Sequence, residues 1–290
     1  MAPEYYVFTG RDGEVIPRRI THVLIDKALK FVPAEAFYEH PNIEELICHD
    51  GVEKIEEFAF RNCPSLRRVI IPSVKVLEKS AFHVCRALTR IECSKLEIIG
   101  EYAFGGCKSL RSIDLPSIKI VEIYAFGGCT NLENAKFGKE LESIGRGVFY
   151  YCTSLERISL PLKDGMIAED SVFRECIRLN QVDLVGGVHE TIAAMLVEEW
   201  KNEMNEEIDE ISQILPNTPA GNFADFGRKT QAIRAWISSV LRKYTLNKAE
   251  HRRYVNVAAA TLKPALPNDI LFKNVLPFLE LPSDTFDGEE

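Results

Sequence analysis

Apolar residues recur along the chain at a period of 22 to 24 residues. Each repeat carries Ala-Phe or Val-Phe, and all but the first continue with Cys three residues later and Leu three residues after that. The ladder phenylalanines are Phe37, Phe60, Phe82, Phe104, Phe126, Phe149 and Phe173. Six of them have cysteine at +3, and the first has His40 there. A fixed period of this length is the signature of a repeat architecture.

The pattern L-x-x-I-x-L follows each of the seven ladder phenylalanines, and one more copy precedes the first of them. Its eight first positions are Ile20, Ile43, Leu66, Leu88, Leu110, Leu132, Leu155 and Leu179. The last two apolar positions are two residues apart, which predicts one short strand with one buried face in each row. Pro72, Pro116 and Pro161 follow three of the strands, where a missing N–H is tolerated. The glycine-containing remainder of each repeat predicts a tight turn or a short 3₁₀ segment on the convex side.

A single unit of this size cannot bury its own apolar face, so neighbouring units must stack around a continuous core. The predicted fold class is therefore an α+β repeat, in which a curved solenoid carries a parallel sheet on its concave face. The ladder phenylalanines are predicted to be structural residues of the core.

The unit I-x-x-x-A-F-x-x-C-x-x-L-x-x-I-x-L-P resembles the BspA-like class of leucine-rich repeat over about residues 20–187. The best match is IGEYAFGGCKSLRSIDLPSIKIVEIYAFGGCTNL. The segment after the repeats resembles, more loosely, the tail of large algal families that carry such repeats. This resemblance lies in VDLVGGVHETIAAMLVEEWKNEMNEEI and ILPNTPAG. The resemblance implies a curved solenoid and a binding role without a specific activity.

Cysteine chemistry and charge narrow the function classes. No C-x-x-C or C-x-x-H pair is present, so metal binding, disulfides and nucleophilic catalysis are less favoured than a buried apolar role for the cysteines. Cys48 and Cys93 replace the last Leu of their strands and are expected to have the same buried role. No phosphate-binding loop or hydrolase motif occurs, and we expect neither an enzyme nor a cofactor.

The net charge of −8 argues against nucleic-acid and anionic-membrane partners. Without a signal peptide or a membrane-spanning stretch, the expected location is cytoplasmic, with the nucleus also open.

Positions +2 and +4 of each row should point away from the core and supply the contacts to a protein partner. The predicted contact residues are Leu24, Ile47, Ile70, Arg68, Arg90, Glu92, Asp114, Lys136, Arg157 and Asp183. Three adjacent apolar residues begin the +4 row, beside Arg68 and Arg90. They predict an interface core, or a surface that residues 1–19 cover as an N-terminal cap hairpin built from YYVF and TGRDGE. Both alternatives stay open at this point.

The period becomes helical after Gly186–Gly187. Apolar residues from Ile192 to Leu215 predict one helix over about residues 189–215, ended by Pro216, and a second stripe runs from Ile233 to Leu262. The first helix is acidic and the second basic, so residues 188–263 are predicted to form an antiparallel hairpin that either caps the solenoid or serves dimerisation and docking.

Residues 264–290 predict a short helix and an acidic tail, and LPNDILFKNVLPFLELP superficially resembles the start of an F-box. Three functions follow from the sequence. The first is a non-catalytic scaffold that binds a protein on its concave sheet. The second is a structural protein or homo-oligomer that uses the helical hairpin, and the third is a ubiquitin-ligase substrate adaptor.

Overall fold

Nine parallel strands lie side by side along the concave face of the solenoid. The computed structural model describes residues 5–11, 13–219, 227–264, 279 and 281. The predicted eight rows are present, and a ninth strand precedes them. The concave strands are β1 (Tyr5–Phe8), β2 (His22–Ile25), β4 (Glu45–Ile47), β6 (Arg68–Ile70), β8 (Arg90–Glu92), β10 (Ser112–Leu115), β12 (Asn134–Phe137), β14 (Arg157–Pro161) and β15 (Gln181–Val185).

The first strand corrects the prediction of an N-terminal cap hairpin. β1 pairs with β2 in parallel, with Tyr5 opposite His22 and Val7 opposite Leu24, whereas a hairpin would need antiparallel strands. The alternating pattern of YYVF matches that of HVLI, so Phe8 points inward and its ring lies 4.9 Å from that of Phe37. Residues 5–8 therefore extend the sheet at its edge and do not fold over it.

In six repeats, the segment between the concave strand and the following ladder phenylalanine contains a second strand that the sequence did not predict. Six two-residue strands form a separate parallel sheet, which joins the predicted turns. These strands are β3 (Phe31–Val32), β5 (Lys54–Ile55), β7 (Val76–Leu77), β9 (Ile98–Ile99), β11 (Ile120–Val121) and β13 (Ser143–Ile144). Two residues are too few to show a periodic pattern, which explains why the expectation of a turn alone was incomplete.

The core between the strands and the turns is a stack of phenylalanine rings. The seven ladder rings, Phe37 to Phe173, are buried and lie nearly parallel, with centroids 4.7 to 5.7 Å apart. Each of the six ladder cysteines donates its thiol hydrogen to the carbonyl oxygen of the phenylalanine in the preceding repeat, as Cys107 does to Phe82 at 3.2 Å. The cysteines are thus buried as predicted, and they also link successive repeats.

The concave sheet is divided in the middle. Hydrogen bonds join β1, β2, β4, β6 and β8 in one sheet and β10, β12, β14 and β15 in another, while the sheet of short strands continues without a break. The division lies between β8 and β10, where Glu92 and Asp114 occupy the +4 row on its two sides.

The C-terminal region is helical, but the first predicted helix is wrong in detail. Residues 189–215 form three pieces: α1 (Val188–Ala194), α2 (Glu198–Asp209) and α3 (Ile211–Ile214), followed by a 3₁₀ turn at Leu215–Asn217. A continuous helix would bury Leu196, whereas Met195 is buried and Leu196 is exposed. The chain leaves the helix at Met195, whose backbone is extended.

The last helix, α4 (Arg228–Leu262), packs on both α2 and the end of the solenoid. The indole N–H of Trp236 donates to the carbonyl oxygen of Glu207 at 2.9 Å, and Ser239 and Lys243 contact the carboxylate of the same residue. His251, further along α4, contacts the earlier residue Trp200, so the two helices run antiparallel.

Contacts at the start of α4 close the last repeat. The hydroxyl of Thr230 accepts a hydrogen bond from the backbone N–H of Phe173, and the buried Lys229 donates to the carbonyl oxygens of Leu179 and Leu215. Arg234 pairs with Asp170 at 3.0 Å. This end of the helical region therefore caps the solenoid. The F-box-like stretch and the acidic tail lie, apart from residues 279 and 281, outside the described residues.

Gly138 gives a sharp test of how closely adjacent repeats approach. A Cβ atom built on Gly138 would lie 1.8 Å from the carbonyl oxygen of Pro116, a backbone atom in the neighbouring repeat. Because overpacking against backbone typically costs about 1 to 3 kcal/mol, we expect Gly138→Ala to lower the free energy of unfolding in urea by that amount or more. Lys139→Ala, at an exposed neighbour, is the control and should change stability by less than about 0.5 kcal/mol. Equal stability of the two variants would contradict the close approach.

Candidate protein-binding face

The alternation along each concave strand places two rows of side chains on the outer face. In β2, Val23 and Ile25 are buried, while His22 and Leu24 are partly exposed. In β10 and β12 the same alternation exposes the polar residues Ser112, Asp114, Asn134 and Lys136. The ten predicted contact residues all occupy this face, at positions +2 and +4.

The +4 row begins with four apolar residues that form a continuous line. Val7 lies opposite Leu24, Leu24 opposite Ile47, and Ile47 opposite Ile70, so the four are adjacent across four strands. We call these four residues the apolar strip. Val7 is 44% exposed and the other three are partly exposed, although neighbouring strands flank them. At about 4.8 Å per strand, the strip is roughly 14 Å long.

A hydrogen-bonded network of polar side chains lies beside the strip, in the +2 row and at Glu92 of the +4 row. The Tyr5 hydroxyl donates to one carboxylate oxygen of Glu45 at 2.6 Å, and Arg68 Nη1 donates to the other at 3.0 Å. Arg68 Nη2 continues to Glu92 at 2.9 Å, and Arg90 Nε contacts the same carboxylate oxygen at 3.1 Å. The two arginines are therefore held in place by acidic neighbours before any partner binds.

Tyr5 and Arg68, two members of this hydrogen-bonded network, have shifted pKa values. The pKa of Tyr5 is raised because its hydroxyl donates to Glu45, with burial as the second cause. The pKa of Arg68 is raised, chiefly by its hydrogen bond to Glu92. Both shifts favour the protonated forms of Tyr5 and Arg68, which are the donors in this network. The network is at the surface, where solvent screens such pairs, so its main effect is to orient side chains.

The second half of the concave face is polar and internally paired. Arg157 Nε contacts Asp183 at 2.9 Å, and Lys136 lies 3.9 Å from Asp114. The apolar and the polar halves meet where the sheet divides. A shallow cleft of about 420 Å³ opens there, lined by Ile70, Pro72, Ile91, Glu92, Cys93, Ser94, Asp114 and Pro116. The last residue of the apolar strip and two carboxylates thus share one depression.

Three residues of the strip and of its polar neighbours were absent from the ten predicted contacts. Tyr5 and Val7 belong to a strand that was assigned to a cap, and Glu45 is largely buried and joins Tyr5 to Arg68. Aligning YYVF with HVLI would have found the first two, because both segments alternate outward and inward residues in the same order. Glu45 occupies a +2 position, so the repeat pattern places it on this face, but its link between Tyr5 and Arg68 depends on two residues distant in sequence.

The cysteines lie in the core beneath this face. All eight cysteines are buried, and burial raises the pKa of Cys93 to about 12, which keeps the thiol protonated and weakly nucleophilic. Within the described residues, no group of three or more His, Cys, Asp or Glu side chains is arranged to hold a metal ion. The described helices also include none with both the length and the apolar character of a membrane span.

Solved structures similar to this chain are bacterial leucine-rich repeat proteins. One from Bacteroides ovatus is 28% identical, covers 51% of this chain and 42% of its own, and has a TM-score of 0.45. A T. pallidum leucine-rich repeat protein is 29% identical over 48% of this chain and 69% of its own, with a TM-score of 0.46. This chain therefore spans less than half of the first protein and about two thirds of the second. No curated protein matches the sequence.

A family model for the BspA type leucine-rich repeat region matches six copies of the repeat. The matches cover residues 30–117 and 75–197, which together make up more than half of the chain. They include the ladder phenylalanines and the cysteines that link successive repeats. The chain belongs to the BspA type leucine-rich repeat family.

Proposed function

We propose that this protein is a non-catalytic scaffold that binds a protein partner on the first half of its concave face. The apolar strip carries the proposal. Large apolar side chains in a continuous row are typical of interface cores, and the arginines beside them are among the residue types enriched in binding hot spots. The position of Tyr5–Phe8 supports this choice over a cap, because these residues pair edge to edge with β2 and add Val7 to the strip.

The neighbouring charges suggest the chemistry of the partner. The cleft at the end of the strip presents the carboxylates of Glu92 and Asp114, and the latter has its lysine partner only at 3.9 Å. A partner surface with an apolar row next to a lysine or arginine would match both features. Because Tyr5, Glu45 and Arg68 are already hydrogen-bonded to one another, binding requires little ordering of this face.

The experiment compares the wild-type chain with an Ile47→Asp and Ile70→Asp double variant in affinity capture from extracts of the source cells, quantified by mass spectrometry. A single interface aspartate introduces an uncompensated charge, so partners of this face should decrease at least tenfold. The control is Ile177→Asp, an exposed isoleucine outside the concave face, which should capture the same partners as the wild type. Folding of each variant is verified by its urea midpoint. Partners retained by the double variant would contradict the proposed surface.

A homo-oligomer formed through the C-terminal helices is the second candidate. Most apolar residues of α4 are used within the chain, since Ile233, Trp236, Ile237 and Val240 are buried, but Tyr254 and Val257 are exposed near its end. Light scattering on the same proteins distinguishes the two functions. A concentration-dependent dimer that persists in the Ile47→Asp and Ile70→Asp variant would support the helical interface.

A further inference from the structure

The hydrogen bonds between neighbouring concave strands follow one rule, and the junction of β8 and β10 departs from it. Before each strand, two consecutive N–H groups donate to one carbonyl oxygen of the preceding repeat, as those of Glu133 and Asn134 do to Arg111 at 2.8 and 3.2 Å. Six of the seven junctions from β2 to β15 have this pair of bonds. At the seventh, which lies wholly within the described residues, the N–H groups of Arg111 and Ser112 make no hydrogen bond to the carbonyl oxygen of Thr89.

The side-chain contacts of the outer face are interrupted at the same junction. On one side Arg68 and Arg90 both contact Glu92, and on the other Lys136 lies beside Asp114. In the part of the chain that the structure describes, no ion pair of the concave face joins β8 to β10. The face is therefore divided into two units, each connected internally. We call them the first plate (β1, β2, β4, β6 and β8) and the second plate (β10, β12, β14 and β15).

The core is less well covered at this junction than elsewhere along the concave face. The inward residue at position +3 is buried in seven of the eight rows, and the exception is Ile91 of β8, which is only partly buried. The cleft of about 420 Å³ at the junction is lined by both Ile91 and Cys93. Neighbouring side chains thus leave the gap between the plates partly open.

The turn side of the same two repeats is connected without interruption. The N–H of Phe82 donates to the carbonyl oxygen of Ala103 at 2.8 Å, and the thiol of Cys107 donates to the carbonyl oxygen of Phe82. The rings of Phe82 and Phe104 stack 5.6 Å apart, as other ladder pairs do. The short strand β9 pairs with both β7 and β11. The two repeats are therefore joined mainly along one side.

A single side-chain hydrogen bond between described residues crosses the gap on the concave side. The Ser117 hydroxyl donates to the carbonyl oxygen of Ser94 at 3.0 Å, just past the ends of β8 and β10. This bond is exposed. Because water competes for exposed hydrogen-bonding groups, it constrains the two plates only weakly.

We propose that the junction of β8 and β10 is a hinge, at which the two plates rotate relative to each other about the intact turn side. Two packed units joined along one edge, with few bonds to lose at the other, can move in this way. Closing brings the Thr89 carbonyl oxygen to the N–H groups of Arg111 and Ser112, and so continues one sheet from Tyr5 to Val185. Opening widens the cleft. The hinge therefore sets the curvature of the concave face, whatever partner binds there.

Disulfide trapping in the full chain tests the hinge. Arg90→Cys with Ser112→Cys, the hinge pair, places two thiols at position +2 on the facing strands of the two plates. A disulfide needs Cα atoms about 4.4 to 6.8 Å apart, so this one forms only when the gap closes to the spacing of a continuous sheet. The control pair is Ser112→Cys with Asn134→Cys, which lie opposite each other within the second plate. The native cysteines are buried and should not compete.

Both variants are verified by their urea midpoints, oxidised with glutathione and quantified by mass spectrometry over time. The hinge pair should oxidise completely, but at least tenfold more slowly than the control pair, because it reacts only from the closed form. Equal rates would overturn the proposal, since β8 and β10 would then already be at sheet spacing. A hinge pair that stays reduced while the control pair is fully oxidised would also overturn it, since the gap would then be fixed.

Amide hydrogen exchange provides a second measurement on the same proteins. In the wild type, the amide of Arg111 should exchange at least tenfold faster than that of Glu133, its hydrogen-bonded equivalent in the next repeat. Oxidation of the hinge pair should slow exchange at Arg111 to about the rate at Glu133. Exchange at Arg111 that is the same before and after oxidation would contradict closure at this junction. None of these results depends on capture of a partner by the apolar strip.

Discussion

Replacing Phe104 by alanine is expected to lower the free energy of unfolding by about 3 to 5 kcal/mol. Phe104 is fully buried in the middle of the ladder, and its ring stacks on Phe82 at 5.6 Å and on Phe126 at 5.4 Å. The substitution removes apolar surface from the core and leaves a cavity that two rigid neighbouring repeats cannot close. Urea denaturation followed by circular dichroism measures the change.

Two comparisons separate the ladder from general sensitivity to substitution. Ile177→Ala truncates an exposed residue and should cost less than about 0.5 kcal/mol. Cys107→Ser preserves a donor to the Phe82 carbonyl oxygen but places a more polar hydroxyl in the core, so a smaller loss than for Phe104→Ala is expected. If Phe104→Ala were no more destabilising than Ile177→Ala, the stacked ring column would not be the principal core.

The sequence predicted this core because a repeat protein simplifies the folding problem. Each unit contacts mainly its neighbours, so chain order becomes spatial order and one register determines all others. The positions of Phe104 and Cys107 within their repeat therefore sufficed to place the equivalent residues of every other repeat. The same register also placed the ten predicted contact residues on one face, although their role in binding remains a proposal.

Features that break or end the repeat were harder to predict. β1 was assigned to a cap because it lacks the ladder phenylalanine and the leucine spacing that identified the other rows. The division of the concave sheet between β8 and β10 falls within the regular repeat, so a periodic pattern does not reveal it. The packing of Tyr124 over Gly127 and Gly147 was missed because glycines in the repeat were assigned only to turns.

The C-terminal helices show a related limit. The apolar stripe from Ile192 onward fits one continuous helix, yet Met195 is buried in place of Leu196 and the helix is divided there. Helical periodicity constrains which residues share a face only while the helix is unbroken. Tertiary contacts thus decided a boundary that the local pattern left undetermined.

Replacing Trp236 by alanine is expected to destabilise the protein by about 3 to 5 kcal/mol, mainly by loosening α4 from α2. Trp236 is only 3% exposed, and its indole N–H donates to the carbonyl oxygen of Glu207. The residue lies on the same helix as Thr230 and Lys229, which close the last repeat. Loss of the indole should therefore also raise amide hydrogen exchange around Phe173.

Trp200 provides the matched control, because it is the other tryptophan of the chain and is only partly buried. Trp200→Ala should cost clearly less than Trp236→Ala in the same urea titration, and amide exchange around Phe173 should stay close to that of the wild type. Equal losses of unfolding free energy for the two variants would indicate that burial of Trp236 against α2 does not determine how much α4 stabilises the protein. Faster exchange at Phe173 in Trp236→Ala, with the first repeats unchanged, would show that α4 stabilises the solenoid from its C-terminal end, since a terminal cap acts first on the repeat it contacts.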